Sequence, residues 1–272
     1  MRVLLPLLAT VVFAAGCSAE PDGGPSDAAS AEAAVPVPLP SPSASAAPAA
    51  ARSESVSNDL YEFEYSYPAV AAAIPDLRKW LDGDLEKQRR ELIGNAQEQL
   101  ETSKKEGFPF NPLGSWTAWK VVADLSGWLS LSADVGSYEG GAHPNHGFSA
   151  LLWDRQANLR REAKDLFASP AALSGAIRRD FCRAIDKERE KRRGEPIDPN
   201  SGNEFDTCID PAASTVILGS LNGKAFDRIG ILVAPYEAGP YAEGDYEVTL
   251  PVNDAVLAAV KPEYRSAFAK GR

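Results

Sequence analysis

The sequence predicts an α+β fold with antiparallel and mixed sheets, a long N-terminal helix and one or two further helices. Three observations lead there. Short segments with a period of two alternate apolar and polar residues from Tyr61 onward. Two segments carry apolar stripes at helical spacing. The strand-like segments follow one another closely, with few helices between them. Hairpins and meanders therefore fit better than a doubly wound sheet.

The elements follow in order. Tyr61, Phe63, Tyr65 and Tyr67 alternate with Glu62, Glu64 and Ser66, giving a strand with one aromatic face that Pro68 ends. Pro75 and Asp76 open a helix whose stripe is Leu77, Trp80, Leu81, Leu85, Leu92, Ile93, Ala96 and Leu100, with Gly83 as its weak point. Gly107, Pro109 and Pro112 break the chain before strands over 116–125 and 128–135, and a further strand covers 148–153. Ser169 and Pro170 are an N-cap and first helical residue. Leu173, Ile177, Phe181 and Ile185 form that helix's stripe, and Gly194 stops it. Strands over 215–218 and 228–234 flank a turn at Asn222 and Gly223, and a strand over 246–250 precedes a short helix over 253–260.

The N-terminus predicts export. Arg2 precedes an apolar run over 3–15, which as a helix would span only about 20 Å, too short to cross a bilayer. The junction Ala14-Ala15-Gly16-Cys17 resembles a bacterial lipobox, although Ala14 stands where a larger apolar residue is usual. Residues 1–16 then form a lipoprotein signal peptide, and Cys17 becomes the lipid-bearing first residue that holds the chain to a membrane. In lipoproteins Ser18, rather than Asp, after the cysteine points to the periplasmic face of the outer membrane. Residues 18–57 contain 12 Ala, 9 Ser, 7 Pro and no aromatic residue. Such a segment buries too little apolar surface to offset its chain entropy. We therefore read 17–57 as the lipidated cysteine and a disordered tether, whose forty residues reach at most roughly 120 Å.

Residues 58–272 hold 26 Lys plus Arg against 33 Asp plus Glu, a net charge of −7. That balance excludes a nucleic-acid partner, whose phosphates need a basic face. We divide this part into subdomains at 58–135 and 136–272. With Cys17 assigned to the anchor, Cys182 and Cys208 are an even pair in an oxidising compartment and predict a disulfide. The bridge would pin the loop over 195–211 to the helix before it.

No catalytic set is legible. The two histidines, His143 and His146, stand three apart in a Gly/Pro-rich turn. With Asp134, Glu139 or Asp154 they could supply a metal site, but this spacing in a turn places no common face, and no zincin glutamate follows. Gly140 and Gly141 instead shape the loop, with His143 bonded locally. Asp198, Asn200, Gly202, Glu204 and Asp206 depart from a calcium loop in the glycine position and the missing twelfth-position glutamate. The sequence therefore predicts no metal and no cofactor. The basic run 187–193 fits a helix C-terminus, where the dipole favours cations. Gly-x-Ser-x-Gly, P-loop and Rossmann patterns are missing from the chain. Tyr236 and Tyr241 sit between prolines in a strand connection; we expect Tyr236 to be mostly buried and to shape the Gly140 to His143 loop.

Several of these segments occur together in a known family. Residues 138–145, YEGGAHPN, are followed by the strand over 148–153 and by Asp165-Leu166-Phe167. The late strand runs into Pro235-Tyr236-Glu237 and then Pro240-Tyr241-Ala242-Glu243-Gly244. This order resembles a bacterial extracytoplasmic family of unknown function. Tyr65-Ser66-Tyr67-Pro68 with its helix resembles the domain that precedes it in many members. Such regions occur as the non-catalytic part of PdaC-like peptidoglycan deacetylases and as the lysozyme-binding outer domain of RsiV-like anti-sigma factors. No counterpart of the deacetylase metal-site domain, or of the anti-sigma factor's membrane helix and cytoplasmic segment, accompanies the resemblance. It implies the fold and a cell-envelope setting. The functional expectation is a non-enzymatic envelope lipoprotein that binds a lysozyme-like protein or peptidoglycan through Gly140, Gly141, His143, His146, Tyr236 and Tyr241. The alternatives are a peptidoglycan-modifying hydrolase or deacetylase using His143 or His146, and a purely structural envelope protein.

Overall fold

Aromatic alternation after Leu60 builds the first sheet. The computed structural model describes residues 49–272. The signal segment, Cys17 and the tether up to residue 48 lie outside the described residues. Strand β2 (Tyr61–Tyr67) buries Tyr61, Phe63, Tyr65 and Tyr67 on one face and shows Glu62 and Glu64 on the other. It pairs antiparallel with β1 (Arg52–Ser57). This departs from the tether expected over 17–57. The sequence Arg-Ser-Glu-Ser-Val-Ser is too polar to announce a strand, but its backbone completes the β2 edge.

After the short helix α1 (Ala69–Ala72) comes α2 (Pro75–Glu106). It runs past the expected stripe and ends at Gly107 in the left-handed conformation, whose N–H donates to the Ser103 carbonyl. Leu77, Leu81, Leu85, Leu92 and Ala96 are buried against the aromatic face of β2. The Tyr65 hydroxyl donates to Asp84 on α2 at 2.9 Å and accepts from Trp119 Nε1 at 3.0 Å. Burial first, and then the Asp84 charge, push the Tyr65 phenol far above its ordinary value. A buried hydroxyl satisfied on both sides fixes the height of α2 above the sheet.

Strand β3 (Leu113–Asp124) returns parallel to β2, so α2 is the crossover that parallel pairing demands. Then β4 (Trp128–Tyr138), β5 (Asn145–Asp154) and β6 (Leu159–Arg161) add on antiparallel, giving one six-stranded sheet in the order β1 to β6. The boundary expected at 135/136 falls inside β4, and the described residues form one compact unit. The correction has a physical cause. A register shift between Val121 and Ala123 turns Ala123 and Leu125 to the face opposite α2, and Leu152 joins them in a second core. The same strands therefore serve both cores at once.

The second core is closed by α3 (Pro170–Arg193) and by the antiparallel sheet β7 (Thr215–Gly219), β8 (Arg228–Val233) and β9 (Tyr246–Pro251), followed by α4 (Asp254–Ala259). The α3 boundaries are the ones the sequence predicts. The Ser169 hydroxyl accepts from Ala172 N–H, Pro170 starts the helix, and Gly194 ends it at φ 76°. The architecture is the α+β arrangement expected, with mixed pairing in one sheet and antiparallel pairing in the other. Among the described residues no helix is long and apolar enough to cross a membrane.

Cys182 and Cys208 are bonded, 26 residues apart. Replacing both by serine should lower the unfolding free energy by about 3.5 kcal/mol, the loop-closure value for this span, in equilibrium denaturation. Gly83 within α2 has no heavy atom within 4 Å of an added Cβ. The change Gly83→Ala should therefore raise stability by about 0.5–1 kcal/mol, read as a higher denaturation midpoint at unchanged slope.

Candidate functional site

Among the described residues, the face of the first sheet opposite α2 is covered only towards Ala123 and Leu152. Nearer β1 it is open. Strand register lines up Ser55, Glu64, Trp116, Gly136 and His146 across five strands. The neighbouring row is Ser53, Ser66, Ala118, Asp134 and Phe148. Small side chains in both rows leave a groove of about 610 Å³, bounded on the far side by Pro144, Asn145 and His146. Trp116 forms part of its floor. A Cβ added at Gly114 would overlap its six-membered ring, and one at Gly136 would stand 3.1 Å from Trp116 Cε3. Two interior strand glycines thus make room for one indole.

Beyond His146 the groove rim continues as a run of aromatic rings. The His146 and Tyr241 rings are 6.1 Å apart, Tyr241 stacks on His143 at 4.1 Å, and Tyr236 lies 5.5 Å from Tyr241. The Tyr241 hydroxyl donates to the Pro144 carbonyl at 2.7 Å. His143 Nδ1 stands 3.0 Å from that same carbonyl, and His146 Nε2 is 3.5 Å from Asp245. Gly140 takes φ 84°, and an added Cβ there would meet Gln99 Nε2 at 2.5 Å, so α2 backs the loop at that residue. An added Cβ at Gly141 meets nothing within 4 Å.

The expected burial of Tyr236 is not what the structure has. Tyr236 is 55% exposed and sits at φ 69°. The turn after β8 sends it outward and puts Ala238 in the core instead. A non-glycine residue held in left-handed backbone next to stacked rings is a local strain that the surrounding structure sustains.

Tyr241 is positioned from behind by α3. The Arg193 guanidinium donates to Glu243 at 2.8 and 3.1 Å and to Asp206 at 2.6 Å, and the Tyr246 hydroxyl donates to Glu243. Arg189, fully buried, donates to the carbonyls of Ala238 and Thr207 and to Asp186. The basic run 187–193 thus does more than complement a helix dipole: three of its arginines, Arg189, Arg192 and Arg193, hold the disulfide loop and the Pro235–Gly244 segment in place. Arg189 and Arg193 continue the four-residue spacing of the α3 stripe, which was the available signal.

Among the described residues neither histidine hydrogen-bonds to a serine, threonine or cysteine hydroxyl or thiol, and no group of three or more His, Cys, Asp or Glu side chains is placed to hold a metal ion. Of the carboxylates that could have completed a metal site with the histidines, Asp134 pairs with Lys120 and Asp154 with Arg161.

Comparison with known proteins fits this layout. Residues 54–146 match the family model of the deacetylase PdaC. The match covers about a third of the chain and contains nearly all of the groove lining. A member of the DUF3298 family from Bacteroides fragilis NCTC 9343 has a similar structure at 15% identity and a TM-score of 0.44, over 74% of this chain and 89% of that one. A DUF3298 family protein from Pseudomonas aeruginosa PAO1 is similar at 15% identity and a TM-score of 0.46, over 83% of this chain and 99% of that one. No curated protein sequence matches the chain.

The Glu243 anchor makes a pH prediction. Burial alone would raise this carboxyl, but the Arg193 and Tyr246 hydrogen bonds outweigh it and hold it below the usual carboxylate range. A carboxyl depressed in the folded state contributes stability above its unfolded pKa, about 4.3, and loses it as pH falls further. Acid unfolding of Glu243→Gln should therefore show a shallower pH dependence below about pH 4.3 than the parent chain, in thermal melts across pH 2–6.

Proposed function

We propose that the chain is a non-enzymatic lipoprotein of the cell envelope whose folded part is a binding domain. Lipid on Cys17 anchors it, at the periplasmic face of the outer membrane, and the Ala/Ser/Pro segment spaces the domain from the bilayer. The ligand is a component of that compartment, a lysozyme-like protein or peptidoglycan. One observation carries this reading: an open groove floored by Trp116 runs into the rings of His146, Tyr241, His143 and Tyr236, with no nucleophile and base set beside it among the described residues. The similarity of residues 54–146 to the deacetylase PdaC supports an envelope setting. The folding units, as we read them, are one shared six-stranded sheet with a C-terminal half built onto its second face, in place of subdomains at 58–135 and 136–272. A hydrolase using His143 or His146 is the weaker reading, since both rings are engaged with Tyr241 and nearby backbone or Asp245.

Two measurements test the proposal. In fractionated cells the chain should partition with membranes, and Cys17→Ser should move it to the soluble fraction while the domain still melts at the same temperature. Release depends on losing acyl chains that contribute about 0.8 kcal/mol for each buried CH₂. The purified chain should also retain a saturable ligand from envelope extract. Turnover of peptidoglycan that disappears in His143→Ala or His146→Ala would instead establish the hydrolase.

A further inference from the structure

We infer that the Trp116 groove is a glycan site, in which a sugar ring stacks on the indole and its hydroxyls bond to Glu64 and the polar groups around it. This rests on the binding-domain reading above and names the ligand class for that site.

The sheet face explains why. A strand interior loses stability at each glycine, so Gly114 and Gly136 cost the sheet something unless close approach is needed there. What they admit is the Trp116 six-membered ring, which occupies the space a side chain at Gly114 would need and lines the groove. A half-buried indole in a groove offers a large apolar plane to a ligand. A pyranose presents a plane of C–H groups of matching shape and a rim of hydroxyls.

The polar complement suits a neutral polyol. Among the described residues Glu64, the cross-strand neighbour of Trp116, forms no hydrogen bond or ion pair, so its acceptors are free. Asp134 is already neutralised by Lys120. Ser55, Ser66 and Asn145 line the same groove and can each donate and accept. Single neutral groups spread over three strands match scattered hydroxyls. A cationic peptide would want clustered free carboxylates, and a phosphate would want an unpaired cation; among the described residues the groove offers one free carboxylate and no unpaired cation. Its volume of about 610 Å³ is that of a site for a small ligand or a short stretch of polymer. The rings of His146 and Tyr241 continue from its rim, which provides a path for further sugar units.

The test uses the chain purified in detergent, with chitotetraose and insoluble peptidoglycan as probes. Titration with chitotetraose should be saturable. The change Trp116→Ala should weaken binding at least tenfold, Trp116→Tyr should keep most of it, and Glu64→Gln should weaken it several-fold. Gly114→Val, which displaces the indole without removing it, should behave like Trp116→Ala. Each variant is compared at an unchanged melting temperature and near-ultraviolet circular dichroism. Equal affinity of Trp116→Ala and parent, or no saturable binding of either probe, overturns the glycan assignment. So does a cationic protein such as lysozyme that competes for the Trp116 face where the glycans do not bind. Capture of an envelope ligand that Trp116→Ala leaves unchanged removes this assignment and keeps the binding-domain reading; a parent chain that retains nothing from the envelope removes both.

Discussion

The parallel pairing of β2 with β3 is the constraint from which the rest follows. Parallel neighbours need a long crossover, and here it is α2, whose apolar stripe must lie on the sheet face that carries Tyr61, Phe63, Tyr65 and Tyr67. The Tyr65 hydroxyl, held between Asp84 and Trp119, fixes that packing with a directional bond inside an otherwise apolar layer. Once α2 occupies one face, the crossover leaves no element for the other. That second face is covered only where the register shift near Val121 delivers Ala123 and Leu125 to the C-terminal half. The groove is the uncovered remainder.

The C-terminal half then does two jobs from one scaffold. Its core packs α3, β7 to β9 and α4 against the far end of the first sheet. Its irregular segments are fixed by polar ties in place of regular pairing: Arg189 to two carbonyls, Arg193 to Glu243 and Asp206, and the disulfide between α3 and the loop after it. These ties matter because a segment such as Pro235 to Gly244 has little backbone pairing of its own. Fixing Glu243 from α3 fixes the turn that carries Tyr241, and Tyr241 in turn bonds to Pro144 at the groove rim.

Much of this was legible in the residues. Alternating aromatics specify β2 because a period of two leaves only one choice of buried face. The α2 and α3 stripes, their prolines and their glycine stops are local signals, and the structure keeps them. The disulfide followed from cysteine parity in a chain whose N-terminus reads as an export signal. Other features depend on partners distant in sequence. Strand β1 is Ser/Glu-rich and extended because β2 offers it an edge, which composition cannot reveal. Tyr236 looked like a buried aromatic, yet one left-handed residue turned it outward and gave its place to Ala238. The 135/136 division failed because β4 belongs to two cores at once.

The groove was the hardest feature to read, and the reason is general. In the sequence Trp116 is one of several aromatic strand residues, and its parity relative to Trp119 shows only that the two face opposite ways. What makes it a platform is Gly136, twenty residues later and adjacent only through antiparallel register. A glycine on the same strand two residues away, Gly114, was the single local hint. Sites built on an open sheet face are assembled from one residue per strand, so their signature is spread thinly along the chain. Sites built on a loop, such as residues 138–145, are contiguous and therefore conspicuous. The two lie side by side here, with Pro144 and Asn145 belonging to both. The conspicuous loop is thus the rim of the surface, and Trp116, in its floor, is the residue its sequence neighbourhood hides.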